Sequence, residues 1–206
     1  MKTLLQIDSS LFSEHGQSSR LAHAFAARWQ DLNPGGRVVK RDLARQEIPH
    51  LTAERFQAFL AKPEARTAEQ HAIAGFSDAL IEELRQADVI VLGLPFYNFG
   101  VPSQLKAYFD HVARAGITFR YTAQGPEGLL KGKKAYVFAA RGGKYAGTAR
   151  DTQTGFVRDF LAFLGITDVE FIYAEGLSMG EAPKAEALAA AQHAITRISA
   201  GAALAA

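Results

Sequence analysis

The run Val89-Ile90-Val91-Leu92-Gly93-Leu94 is apolar throughout and stops at Pro95. The cluster Phe96-Tyr97-Asn98-Phe99 follows, and Pro102 then opens a helical pattern. An apolar run without alternation suits a strand buried on both faces. Proline suits the first turn of a helix, where its missing N–H would have found no partner inside the helix. The stretch therefore predicts a buried strand, a loop at its carboxyl end and a helix start. In an open parallel sheet, that edge is where a planar ligand can lie against backbone amides. So many aromatics in one loop predict that it packs against something. A bound ligand is the favoured occupant, and a hydrophobic plug formed by the loop itself is the alternative.

The same alternation of strand and helix patterns runs along the chain. Strands are predicted at about 3–8, 37–42, 88–94, 135–140 and 169–174. Helices are predicted at about 17–31, 52–61, 67–86, 102–114, 152–164 and 183–200. Leu21, Phe25, Trp29 and Leu32 recur at a helical period, Thr52 and Thr67 are candidate caps, and Gly165 closes a helix. Ile117–Thr122 alternates as a short exposed strand, turned by Gln124-Gly125-Pro126. No repeat and no linker rich in Gly, Pro or Ser divides the chain. Residues 1–206 are therefore expected to form one α/β domain with helices on both faces and a short extra hairpin. Five parallel strands at this spacing fit the flavodoxin-like order 2-1-3-4-5. That order makes the first, third and fourth strands neighbours. Their carboxyl-end loops are Ser9–Ser19, Pro95–Gly100 and Arg141–Gly147, the chemically most unusual stretches of the chain.

Composition narrows the function. The formal net charge is +2, which supplies little attraction to nucleic acid. The one basic cluster, Lys131-Gly132-Lys133-Lys134, leads into an apolar strand and suits a solvated strand start. No apolar run is long enough for a membrane span. A strand pattern beginning at residue 2 leaves no room for a targeting segment, so a cytoplasmic location is expected. With no cysteine, disulfides, thiolate metal sites and thiol catalysis are excluded. The six histidines include no pair at helical metal-ligand spacing, so no metal is expected.

Each of the three loops carries its own chemistry. The first holds Ser9, Ser10, Ser13, Gln17, Ser18 and Ser19 and feeds a helix. Hydroxyls beside the free amides of a helix N-terminus suit a phosphate. A serine that merely caps the helix is the plainer alternative. The glycine-rich dinucleotide fingerprint is missing, which favours a single phosphate. The third loop, Arg141-Gly142-Gly143-Lys144-Tyr145, has paired glycines that let backbone approach a flat ligand.

A wider resemblance rests on Ser9-Ser10, Gln17-Ser18, Pro95-Phe96-Tyr97-Asn98-Phe99, Gln104-Leu105-Lys106, the segment Arg114–Leu129, Arg141-Gly142-Gly143 and Gly165-Ile166-Thr167-Asp168. With these, the chain resembles the bacterial FMN-dependent NADH:quinone and azobenzene reductases nearly end to end. The resemblance implies tightly held FMN and a homodimer with active sites at the subunit interface. It implies ping-pong two-electron reduction of quinones, azo compounds and nitroaromatics by NAD(P)H, with hydride passing through flavin N5. The implied cofactor-binding set is Ser10, Gly16, Gln17, Ser18, Pro95, Phe96, Tyr97, Asn98, Phe99, Ala140, Arg141, Gly142 and Gly143. Ser10 and Gln17-Ser18 would take the phosphate and ribityl chain. Phe96–Phe99 would flank one side of the ring and Arg141–Gly143 the other. Phe119, Tyr121 and Tyr145 are candidates for the substrate pocket, the first two leaning over the flavin or the partner subunit. No side chain is obliged to act as general acid, because water can supply protons. The family often has Met at position 96 and Ser at positions 16 and 140, where this chain has Phe96, Gly16 and Ala140.

Two readings of another class compete. Gly176-Leu177-Ser178-Met179-Gly180 matches a nucleophile elbow after a strand. A serine hydrolase would then need a later acid and histidine, and the one later histidine, His193, sits in an Ala-rich helix. A flavodoxin-type electron carrier is the second alternative. The extra hairpin and the helices near 50–86 favour walls around a substrate instead. Gly128–Lys133 imitates a P-loop at too short a spacing and ahead of a strand.

Overall fold

The computed structural model describes residues 1–204. Its centre is a five-stranded parallel sheet of β1 (Thr3–Asp8), β2 (Arg37–Asp42), β3 (Val89–Pro95), β6 (Lys134–Ala140) and β7 (Asp168–Ala174), in the order β2-β1-β3-β6-β7. The intervening β4 (Phe119–Thr122) and β5 (Gly125–Gly128) pair with each other as a separate antiparallel hairpin. The hairpin strands take the numbers 4 and 5, so the sheet's last two strands become 6 and 7. Every residue of β1 and β3 is buried; the unbroken apolar run of β3 accounts for its burial, whereas β1 also buries Thr3, Gln6 and Asp8.

The alternation of side chains along β3 builds both faces. Ile90, Leu92 and Leu94 pack with α3 (Ala68–Gln86), α4 (Ser103–Val112) and α5 (Thr154–Leu164). Val89 and Val91 pack with α1 (Gln17–Leu32) and α6 (Glu181–Leu204). Leu21, Phe25 and Trp29 form the buried stripe of α1. Each such side chain contributes about 1.5–3 kcal/mol through burial. Gly36, in the turn that leads to β2, passes so close over Trp29 that a Cβ there would lie 2.7 Å from the indole. A short helix, α2 (Ala53–Leu60), lies against α3 and is capped by the Thr52 hydroxyl.

The hairpin departs from expectation in detail. It starts at Phe119 because Arg114–Thr118 is a turn. The Thr118 hydroxyl donates to the Val112 carbonyl at 2.6 Å and accepts the Arg114 N–H at 2.9 Å. Gly125 and Pro126 belong to the returning strand, and the turn itself is residues 123–124. Proline is tolerated there because the two-stranded ribbon is all edge. The hairpin docks where Gly128 crosses Gly165 at the end of α5; a Cβ on Gly128 would lie 2.0 Å from the Gly165 nitrogen. Gly165 has φ +100°, so glycine serves both the crossing and the helix stop.

Candidate active site

The sheet order reverses between β1 and β3, and the carboxyl ends of β1, β3 and β6 bring the three expected loops to one edge. In the first loop, the Ser9 hydroxyl donates to the Gly93 carbonyl at 2.7 Å. Ser10 accepts the Phe12 N–H and lies 3.2 Å from the Tyr97 hydroxyl, joining the first loop to the second. Gly16 is the N-cap of α1, no side chain caps that helix, and its first turn holds no acid. The N–H groups of a first turn have no partner inside the helix, so this end presents uncompensated donors and positive potential. The buried hydroxyls of Ser18 and Ser19 have no hydrogen-bond partner. Beneath them, Asp8 accepts the Gln6 amide at 2.9 Å and lies 2.8 Å from His23 Nε2. Burial pushes the Asp8 carboxyl above its ordinary range, against the opposing hydrogen bonds from Gln6 and His23.

In the second loop, Tyr97 and Gly100 bridge across a tight turn, with the Gly100 N–H donating to the Tyr97 carbonyl at 2.9 Å. Asn98 and Phe99 at its tip have φ of 48° and 60°. The left-handed region costs a residue with a Cβ about 1–2 kcal/mol. The turn is clamped from the residues before α5. The Thr152 hydroxyl donates to the Phe99 carbonyl, and the Gln153 amide donates to the carbonyls of Pro95 and Gly100 at 2.8 and 3.2 Å.

The third loop meets the second through aromatics. The Tyr145 ring lies 5.1 Å from Phe96 and 5.9 Å from Phe99, and those two lie 5.8 Å apart. The segment after β7 runs beside this loop: Gly176, Leu177 and Ser178 N–H groups donate to the carbonyls of Gly143, Arg141 and Gly142. A Cβ on Gly142 would lie 2.8 Å from the Ser178 hydroxyl, so glycine permits the approach. Glu175 accepts the Tyr145 and Ala146 N–H groups at 2.8 and 2.9 Å.

Ser10, Gly16, Gln17 and Ser18 thus lie on the first loop and the start of α1. Pro95–Phe99 lie on the second loop, and Ala140, Gly142, Gly143 and Tyr145 on the third. Arg141 stands behind this wall. Its side chain is wholly buried against Asp151 and Glu175, and its N–H and C=O bond Ala174 and Leu177. Within the expected flank Arg141–Gly143, the Arg141 side chain is thus turned into the protein, and Gly142 and Gly143 are the partly exposed residues. Phe119 faces inward, 4.3 Å from the Phe163 ring, so within one chain it is a hairpin anchor and not a pocket wall. Tyr121 is 75% exposed on the hairpin. Gly176–Gly180 braces the third loop through its backbone, and His193 is exposed on α6. Thr152, Gln153, Asp151 and Glu175 were not anticipated. Only the position of Asp151–Gln153 just ahead of a helix, where polar caps belong, hinted at them.

On the outer side of the Phe99 turn, a cleft of about 470 Å³ is lined by His50, Gly100, Val101, Ser103, Lys106, Thr152 and Phe156. The uncapped start of α1 and the aromatic cluster of Phe96, Phe99 and Tyr145 lie on loops at one sheet edge, an arrangement that suits a flat ligand with an anionic tail.

The chain belongs to the flavodoxin-like fold family, whose model matches residues 1–198. It is 56% identical over 195 residues to the FMN-dependent NADH:quinone oxidoreductase of Cellvibrio japonicus, covering 95% of this chain and 97% of that one. It is 57% identical over 198 residues to the protein of the same name from Burkholderia thailandensis, covering 96% and 100%. Among solved structures, the azoreductase from Bacillus anthracis str. Sterne superposes with a TM-score of 0.88 at 27% identity, covering 97% of this chain and 99% of that one. Among the described residues, no helix is long and apolar enough to cross a membrane.

Proposed function

We propose that this chain is an FMN-dependent NAD(P)H oxidoreductase that reduces quinones and azo compounds in a ping-pong cycle. The observation that carries the reading is the start of α1: an uncapped N-terminus with an orphan Ser18 hydroxyl, tied through Ser10 and Tyr97 to an aromatic wall. These residues fit the group. The amides of Gln17 and Ser18 with the Ser10 and Ser18 hydroxyls would hold its phosphate, and Phe96–Phe99 and Gly142-Gly143 would flank its ring. When bound, FMN supplies the two-electron chemistry that links nicotinamide oxidation to reduction of the acceptor.

The protein's part is binding, orientation and electrostatics. The start of α1 neutralises the phosphate with fixed dipoles, which need no reorganisation. The clamped turn at Asn98-Phe99 presents backbone and aromatic edges at one set height. Tyr145 beside Phe96 and Phe99 would narrow the opening to flat molecules. The names of these relatives, and the aromatic cluster of Phe96, Phe99 and Tyr145, support quinones and azo compounds as acceptors. Exposed Phe56, Leu60, Phe99 and Tyr121 support a homodimer in which a second copy covers apolar surface.

The test is optical. The purified protein is expected to be yellow, to bleach with NADH and to recolour with a quinone, with parallel lines in two-substrate kinetics. A colourless protein with no affinity for FMN overturns the reading. A yellow protein that scarcely turns over is an electron carrier instead.

A further inference from the structure

We propose that Arg141 is a positioning residue that makes the loop after β3 and the loop after β6 one rigid unit, without itself touching the ligand. The proposal rests on the reading of this edge as the flavin site. The Arg141 side chain has 0% exposure, and its fork reaches both loops. Nη1 donates to Glu175 at 3.2 Å, while Nη2 donates to Asp151 and to the Thr154 hydroxyl, both at 2.9 Å. The guanidinium also lies 5.2 Å from the centre of the Phe96 ring and 5.0 Å from that of Tyr173.

Each partner in turn grips a loop. The Glu175 oxygen that meets Arg141 also accepts the Tyr145 and Ala146 N–H groups, closing the β6 loop. The Asp151 oxygen that meets Arg141 also accepts the Gln153 and Thr154 N–H groups and so begins α5. That places Thr152 and Gln153 to hold the carbonyls of Phe99, Pro95 and Gly100, fixing the β3 loop. Phe96, against the guanidinium face, belongs to the β3 loop itself. One cation thus sits between two largely buried carboxylates, Asp151 at 8% and Glu175 at 16% side-chain exposure. Removing it leaves both without their counter-charge, so both clamps loosen together. A lysine keeps the charge but is a point donor that cannot serve both carboxylates and Thr154 in the same plane.

Amide hydrogen exchange of the protein without flavin tests this directly. Gly100 reports the β3 loop, and Tyr145 and Ala146 report the β6 loop. Glu175→Gln weakens only the β6 clamp, yet exchange at Gly100 is expected to rise about tenfold along with that at Tyr145 and Ala146. Arg141→Met is expected to raise all three similarly while β1 and β3 amides stay protected. Arg141→Lys is expected to recover one loop at most. With FMN present, both Arg141 variants are expected to weaken binding about tenfold and to blur the fine structure of the flavin's visible band. Unchanged exchange at Gly100 in Glu175→Gln, or wild-type behaviour of both loops in Arg141→Lys, overturns the proposal. Should Arg141→Met fail to fold, the other two variants decide. Failure of the wild type to bind FMN strikes the functional reading alone, because the exchange measurements need no flavin.

Discussion

The hydroxyls of Ser10 and Tyr97 lie 3.2 Å apart, which ties the loop beneath the first helix to the aromatic turn at the end of the third strand. The same Ser10 is the reason Gly16 has no side chain: a Cβ at position 16 would lie 2.1 Å from the Ser10 Oγ. Three positions that are far apart in purpose, a helix cap, a hydroxyl and an aromatic wall, are therefore one packing problem.

Gly16→Ser is expected to push Ser10 off its present rotamer and break the link to Tyr97. FMN affinity should fall about tenfold, the loss expected when a buried polar contact is disrupted. Adding Ser10→Gly removes the steric conflict. Thermal stability should then return while affinity stays low, as fluorescence titration and melting curves together would reveal.

Ser18→Ala removes a buried hydroxyl that has no partner within the chain. Stability without flavin should hold or rise slightly, since an unsatisfied buried group costs about 1–3 kcal/mol. FMN binding should weaken several-fold, whereas riboflavin, which lacks the phosphate, should bind the variant and the wild type equally. An equal loss for both ligands would remove Ser18 from the phosphate site.

Acid should act on two carboxyls with opposite sign. Burial opposes ionisation of Asp151, but hydrogen bonds from Arg141 and Thr154 outweigh it and hold the carboxyl at about 2, against an ordinary 3.8. Such a lowered group stabilises the fold above its ordinary pKa, and the contribution drains away as pH falls toward 2. Asp151→Asn should therefore destabilise the protein by roughly 2 kcal/mol near neutrality, with the gap to wild type closing in that acid window. Asp8 is raised by burial, so its ionisation opposes folding above the ordinary carboxyl pKa. Asp8→Asn should be the more stable form near neutrality and lose that advantage in acid. Urea titrations across the acid range measure both differences.

Arg114→Met tests a staple remote from the cleft. Arg114 is buried, donates to the Ser77 hydroxyl at 2.8 Å and to Asp78 at 3.3 Å, and lies 4.2 Å from the centre of the Phe59 ring. It joins the second, third and fourth helices. The variant should lose about 2 kcal/mol by chemical denaturation, with the FMN dissociation constant unmoved at a temperature where it stays folded.

The central strand β3 was legible because burial on both faces writes itself as an unbroken apolar run, Val89–Leu94, and α1 because Leu21, Phe25 and Trp29 keep a helical period. The three loops were legible as a group because the strand order alone brings them to one edge. The inward packing of Phe119 was hidden because alternation in Ile117–Thr122 suggests an exposed strand, while the close crossing of Gly128 and Gly165 exists only in three dimensions. The burial of the Arg141 side chain was hidden for the same reason. An arginine before two glycines looks like part of a ligand wall, and nothing local shows that Asp151, ten residues on, and Glu175, thirty-four residues on, close around it.

Phe99 holds its carbonyl to Thr152 in a backbone shape that glycine would adopt without strain. Phe99→Gly should thus make the turn easier to form, yet it would delete a ring that touches Phe96 and Tyr145 and is 56% open to solvent. A chain tuned for durability alone would have little use for a phenylalanine there. Under the proposed function, the ring at the tip of this turn is kept for what arrives from outside, at the expense of an easier turn.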